Sequence, residues 1–214
     1  MTHGFTTPDY LMLGHVTRDL LPDGSILPGG TSLYASLTAD RLGCRVAVVS
    51  AQAELPAGWP DSIQIAWRPA LSTPTFENRY TSNGRVQILH TDAGQLQIDD
   101  IPEAWRAAPI VHLGPVAAET PPAFVTAFPN ALLGVTPQGW MRAWGRLPGP
   151  VSYQVWRPQP ELLQQIDALV LSIEDVRGDE ELVRSYAADC PLVALTRGDR
   201  GSTLFVNGKA HEIE

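Results

Sequence analysis

Cysteine is scarce: only Cys44 and Cys190 occur among 214 residues. Each adjoins an apolar run, and two isolated thiols make no disulfide framework, so a reducing, cytoplasmic setting is expected. Apolar runs of roughly 20 residues, the length that spans a bilayer, are also missing. The first residues, MTHGFTTPDY, lack the basic start and apolar core of a secretory signal. Positive charge is in deficit, with 15 Lys and Arg against 23 Asp and Glu and a net charge of -8. Such a chain has no general attraction for nucleic acid or an anionic membrane, and neither is expected as a partner. Several motifs are absent. No G-x-G-x-x-G follows a strand, and there is no G-x-x-x-x-G-K-[ST] or G-x-S-x-G. The five histidines and two cysteines show no close metal-ligand spacing, and the six tryptophans are dispersed. His112, inside IVHLG, reads as a packed strand histidine.

Hydrophobic residues make up 44% and charged residues 18%, values ordinary for one soluble domain with a small appendage. Leu11–Gly14 reads as a strand, Thr31–Leu42 as a helix stopped by Gly43, and Arg45–Ser50 as a β-branched strand. Strand, helix and strand on short links predict parallel pairing. Ile63–Trp67 alternates, and Ser82-Asn83-Gly84 separates two strand-like runs, a hairpin signal. Lid strands are expected within about residues 15–28 and 63–99, as a small β-layer on the main sheet. The runs Ile110–Gly114, Ala131–Val135, Ala168–Ser172 and Leu192–Thr196 read as strands buried on both faces. Weak helices are expected at Pro122–Phe128 and Pro160–Ile166, and a stronger one at Glu174–Ala188. A second hairpin surrounds Asn207-Gly208.

In open α/β sheets, ligands bind at the carboxyl ends of the strands. Gly14–Asp19, Gly29-Gly30-Thr31, Gly114-Pro115, Thr136–Gly139, Ser172–Asp175 and Thr196–Gly201 map there. Gly29-Gly30 before a helix either exposes backbone N–H groups to a ligand or makes a plain tight turn. Asp19 either accepts hydrogen bonds from polyol hydroxyls or is a solvated loop aspartate. Glu174 and Asp175 either complement a helix dipole or hold Mg2+ through water. In Thr196–Gly201, glycines, a hydroxyl and two arginines suit a phosphate, or stabilise a surface loop.

Taken in order, YLMLGHVTRD, LPGGTSLYASLTADRLG, TPTFENRYTSNGR, LVLSIEDV and VALTRGDRGSTLFVNGK resemble the PfkB-type carbohydrate kinases of the ribokinase-like superfamily. The resemblance implies an α/β fold: a ribokinase-like, doubly wound, mostly parallel sheet flanked by helices, with a small β-sheet lid. It implies one domain over 1–214 and ATP-dependent phosphorylation of a sugar, inositol-like polyol or nucleoside hydroxyl, with ATP and Mg2+ as cofactors. Asp19, Gly29, Gly30, Thr31, Glu77 and Asn78 would bind the acceptor. Thr196, Arg197, Gly198 and Gly201 would bind nucleotide, and Asp175 would hold Mg2+ through water. Tyr34 stands near the place of the family's usual asparagine, and Ser172 and Asp175 at the Asn and Glu positions of N-x-x-E. A Gly-Ala-Gly-Asp signature, which carries the family's catalytic aspartate, does not occur. No catalytic residue is therefore assigned, the chain is expected to be truncated at its C-terminal side, and the alternative is an inactive sugar- or nucleotide-binding protein. A homodimer through the lid is a further expectation.

Overall fold

Short apolar runs between glycine-rich turns form strands first and helices second. A computed structural model describes residues 6–82 and 84–214. β1 (Tyr10–Leu13), β2 (Thr17–Leu20) and β3 (Ile26–Gly29) precede α1 (Thr31–Arg41). β4 (Val46–Gln52), β5 (Gln64–Pro69), β6 (Thr75–Thr81), β7 (Gly84–Thr91), β8 (Ile110–Leu113) and β9 (Leu132–Val135) follow. The connections around β8 hold 3-10 turns at Ile98–Asp100, Glu103–Trp105 and Pro122–Ala127. The short strands β10 (Arg142–Ala143), β11 (Gly149–Pro150) and β12 (Ser152–Tyr153) lead to the one-turn helix α2 (Pro160–Leu163). β13 (Ala168–Ser172), α3 (Glu180–Ala187), β14 (Leu192–Thr196) and the hairpin β15 (Ser202–Val206) and β16 (Lys209–Ile213) complete the order.

The main sheet runs β16-β15-β14-β13-β9-β8-β1-β4-β5. Its strands are parallel from β14 to β5, and β15 and β16 extend it antiparallel. A second, five-stranded sheet runs β11-β7-β6-β2-β3. The mostly parallel α/β architecture with a small β-sheet is as expected. β5 departs from expectation, since it pairs parallel with β4 at the edge of the main sheet instead of joining the small one. Its alternation reflects half-exposure on an edge strand, a pattern that a lid strand shares. β6 and β7 pair as expected, although Asn83 lies outside the described residues. At the second hairpin, Asn207 and Gly208 both have positive φ (48° and 77°), as a tight two-residue β-turn requires.

β4 is buried along its whole length, which suits its Val-rich sequence. β8, β9, β13 and β14 instead bury alternate residues, so the expectation of strands buried on both faces is corrected for these four. Leu11, Val49, Val111, Leu133, Leu169 and Val193 share the larger core with Trp105 and Tyr186. Met12, Val46 and Val48 meet α1 on the opposite face. α1 buries Ser32, Ser36 and Ala39, small residues that let its backbone approach the sheet closely.

α3 begins at Glu180, six residues later than the expected start. Arg177 and Gly178 have positive φ (51° and 81°), which breaks any helix through them. Asp179 then caps α3, its side chain accepting the Leu182 N–H at 3.0 Å. Pro122–Ala127 is a 3-10 turn and α2 is shorter than expected.

One buried carboxylate joins the sheets. Glu119 is fully buried and accepts from the N–H groups of His15 (2.7 Å), Val116 (2.9 and 3.1 Å) and Ala117 (2.7 Å). The buried His15 ring accepts the Ala51 N–H at Nδ1 (3.2 Å) and meets the Gly94 carbonyl at Nε2 (2.8 Å). Four segments at the carboxyl edge of the main sheet are thereby tied where the chain turns into the small sheet.

Candidate functional site

Parallel pairing puts the ends of β1, β8, β9 and β13 on one edge, and the small sheet overhangs it. Between them lies a cleft of about 490 Å3, bordered by Asp19, Gly30, Thr31, Asn78, His112 and Arg142. A second cleft of about 440 Å3 is bordered by Tyr153, Glu174, Asp175 and Arg177. Gln87, Gln138 and Arg142 border both, so the two form one trough.

Asp19 lies on β2 beside Phe76 of β6 and is half-buried. Its carboxylate accepts no hydrogen bond from any described residue. Burial raises its pKa above 3.8, and the nearby Arg142 guanidinium partly opposes that. Arg142 is itself held, donating Nη1–H to the Val116 carbonyl (2.8 Å) with its guanidinium 5.2 Å over the Phe76 ring. A half-buried, acceptor-only group beside a clamped cation suits ligand hydroxyls.

The two glycines are required for different reasons. Gly30 takes φ 90° at the start of α1, a conformation that disfavours a side chain. At Gly29 a Cβ would lie 2.5 Å from Asp19 Oδ2. The atom displaced would be the end of a side chain, so Gly29→Ala is expected to move the Asp19 carboxylate and spare the backbone. Myo-inositol affinity measured by calorimetry should fall about tenfold or more, with a melting temperature close to wild type. Unchanged affinity would separate Asp19 from the ligand.

Other expected residues scatter. Asn78 borders the cleft and accepts from Gln87 Nε2 at 3.1 Å. Glu77 does not face it, which corrects its assignment to the acceptor. Successive residues of a strand point to opposite faces, and Glu77 pairs with Arg79 (2.5 Å) and His90 (2.8 Å). Those two contacts hold its carboxyl below the usual range.

Thr196, Arg197, Gly198 and Gly201 border neither cleft. Arg197 is tied to Thr203 and to Glu180 (3.1 Å), which fastens the loop to α3 and the hairpin. A Cβ at Gly201 would lie 2.1 Å from the Ile213 carbonyl, so that glycine admits the hairpin backbone. Gly198 has φ 64° with open space around it, so backbone conformation accounts for it. The loop thus stands apart from both clefts.

Asp175 borders the second cleft, where Oδ1 accepts from Gln138 Nε2 (2.8 Å) and Oδ2 from the Ser172 N–H (2.8 Å). Both oxygens are engaged, so the arrangement fits a metal held through water better than direct ligation. Among the described residues no group of three or more His, Cys, Asp or Glu is placed to hold a metal. None of their helices is long and apolar enough to cross a membrane.

Arg142, Arg177, Gln87 and Gln138 were not anticipated. Thr136–Gly139 was placed at the strand-end edge, which offered a signal for Gln138. Arg142 opens the two-residue strand β10 directly after a 3-10 turn at Pro137–Met141 and offers none.

No family model and no curated protein sequence matches the chain. Solved structures do. A pyrophosphate-dependent kinase in the ribokinase family superposes with a TM-score of 0.81 at 19% identity, over 96% of this chain and 78% of that one. Such a kinase complexed with a pyrophosphate analog and myo-inositol gives 0.80 at 20%, over 96% and 78%. Ribokinase of Arabidopsis thaliana, complexed with ribose and ATP, gives 0.65 at 17%, over 98% and 78%. The fold is ribokinase-like. In this ribokinase-like chain the trough lies where the small sheet meets the carboxyl edge of the large one, the position that the general rule for open α/β sheets gives to ligands.

Proposed function

We propose that the chain supplies the acceptor side, and part of the donor side, of a kinase that phosphorylates a hydroxyl of a sugar or inositol-like polyol. The unspent carboxylate of Asp19 in the first cleft carries the reading. It accepts hydroxyl hydrogens, Asn78 adds a polar contact, and the N-terminal end of α1 at Gly30-Thr31 presents backbone N–H groups. Arg142 stands between the clefts, where a transferring phosphoryl group would need positive charge. The expected donor is ATP. Mg2+, held through water at Asp175, would neutralise donor phosphate charge when bound.

A second reading of the donor is pyrophosphate. The second cleft is a polar space with two guanidinium groups, Arg142 and Arg177, the latter 5.0 Å over the Tyr153 ring. The expected nucleotide loop lies apart from it, and similar folds include kinases that use pyrophosphate.

The test is calorimetry with myo-inositol and ribose, followed by phosphoryl transfer with ATP or pyrophosphate. Polyol binding with turnover supports the reading, and the productive donor decides between the two versions. Binding without turnover on either donor favours the ligand-binding alternative. No binding of any polyol or sugar overturns the acceptor assignment.

A further inference from the structure

His112 stands on β8, in register with Met12 of β1 and Gly134 of β9. Its ring joins two hydroxyls. Tyr10 Oη lies 2.5 Å from Nδ1, and Thr136 Oγ1 lies 3.2 Å from Nε2. His112 and Thr136 both border the first cleft, whereas Tyr10 lies behind them.

Two directions of donation are open to this row, and they differ in which hydroxyl hydrogen is left over. A neutral imidazole carries one N–H and one acceptor nitrogen. If Nδ1 carried the hydrogen, it would donate to Tyr10 Oη, and the phenol proton would have no acceptor among the described residues. If Nε2 carries it, Tyr10 donates to Nδ1 and Nε2–H donates to Thr136 Oγ1, and the hydroxyl hydrogen left over is that of Thr136, which borders the cleft, instead of that of Tyr10, which borders neither cleft. Burial holds the His112 pKa down to about 4 and pushes the Tyr10 phenol up, so both are uncharged at neutral pH. The Thr136 hydroxyl then accepts from the ring, and its own proton is left for the cleft.

We propose that Tyr10, His112 and Thr136 form a one-way hydrogen-bond row that makes Thr136 an obligate donor to an oxygen acceptor of the bound ligand. Thr136 is then a specificity-determining residue, and Tyr10 and His112 position it. The cleft thereby carries two complementary poles. Asp19 takes ligand O–H groups, and Thr136 takes a ligand oxygen lone pair. The ligand's identity, a polyol or phosphoryl oxygen, rests on the acceptor-cleft reading above, but the direction of the row does not.

Two measurements test it. Nitrogen-15 NMR of the wild-type imidazoles, with His112 assigned by its loss in His112→Gln, should show the hydrogen on Nε2. In Tyr10→Phe the population should move toward Nδ1–H. A wild-type ring protonated at Nδ1 overturns the row. Separately, myo-inositol and inorganic phosphate are titrated into wild type, Thr136→Val and Thr136→Ser. Thr136→Val should weaken one of the two probes about tenfold, and Thr136→Ser should restore it. The probe affected identifies the oxygen as hydroxyl or phosphoryl. Wild-type affinity of Thr136→Val for both probes overturns the specificity role. Wild type binding neither probe overturns that role together with the acceptor reading, while the NMR result still decides the row.

Discussion

Asp19→Asn is expected to weaken myo-inositol binding roughly 10- to 150-fold, the span of about 1.5–3 kcal/mol for a hydrogen bond to a charged group. The carboxylate is half-buried and accepts from no described residue, so ligand hydroxyls would be its donors. An amide of the same shape offers one acceptor oxygen and two hydrogens of its own, and it removes the charge that Arg142 faces. The fold should survive, because the side chain makes no hydrogen bond to the backbone of any described residue. Calorimetry with circular dichroism measures both effects. Because burial raises the Asp19 pKa, wild-type binding should also fall on the acid side at a pH above 3.8. The sign follows from the ionised form being the better acceptor. In Asp19→Asn that acid limb should vanish. A variant that keeps both the affinity and the limb removes Asp19 from the site.

The second large effect concerns stability. Glu119→Ala would leave the buried N–H groups of His15, Val116 and Ala117 without their acceptor. An unsatisfied buried donor costs about 1–3 kcal/mol, so the three together should cost at least about 3 kcal/mol. In a domain of this size that corresponds to roughly 6–12 °C in melting temperature. Glu119→Gln should lie between the two, since its amide keeps one acceptor oxygen and turns hydrogens toward the remaining N–H groups. Thermal denaturation of both variants checks the order. A loss under about 1 kcal/mol in Glu119→Ala would mean that water or a backbone shift replaces the carboxylate.

Residues that act through local chemistry are legible in the sequence. Gly29-Gly30 marked the start of a helix, Asp19 followed a strand, and Asn78 belonged to a hairpin-forming run. Their meeting in one cleft follows from parallel pairing of β1 with β8 and from the small sheet folding over that edge. Glu77 shares a motif with Phe76 and Asn78, but strand alternation turns it to the other face. The late start of α3 had a signal in Gly178-Asp179, a break followed by a cap, which the acidic run around Glu174 obscured. Arg142 and Arg177 had none. They reach the trough from a two-residue strand and a tight turn placed by tertiary packing, including the Trp140–Trp156–Tyr186 row with ring centroids 5.0 and 5.4 Å apart.

Arg142 borders both halves of the trough, and this has a thermodynamic consequence. An anion seated in the second cleft screens the guanidinium that opposes the upward shift at Asp19. The carboxyl then binds protons more readily, so anion binding is accompanied by fractional proton uptake. Linkage makes the effect reciprocal. Lowering the pH would then favour an anion in the second cleft and disfavour a hydroxyl ligand in the first, with one side chain setting how strongly each half of the trough responds to the other.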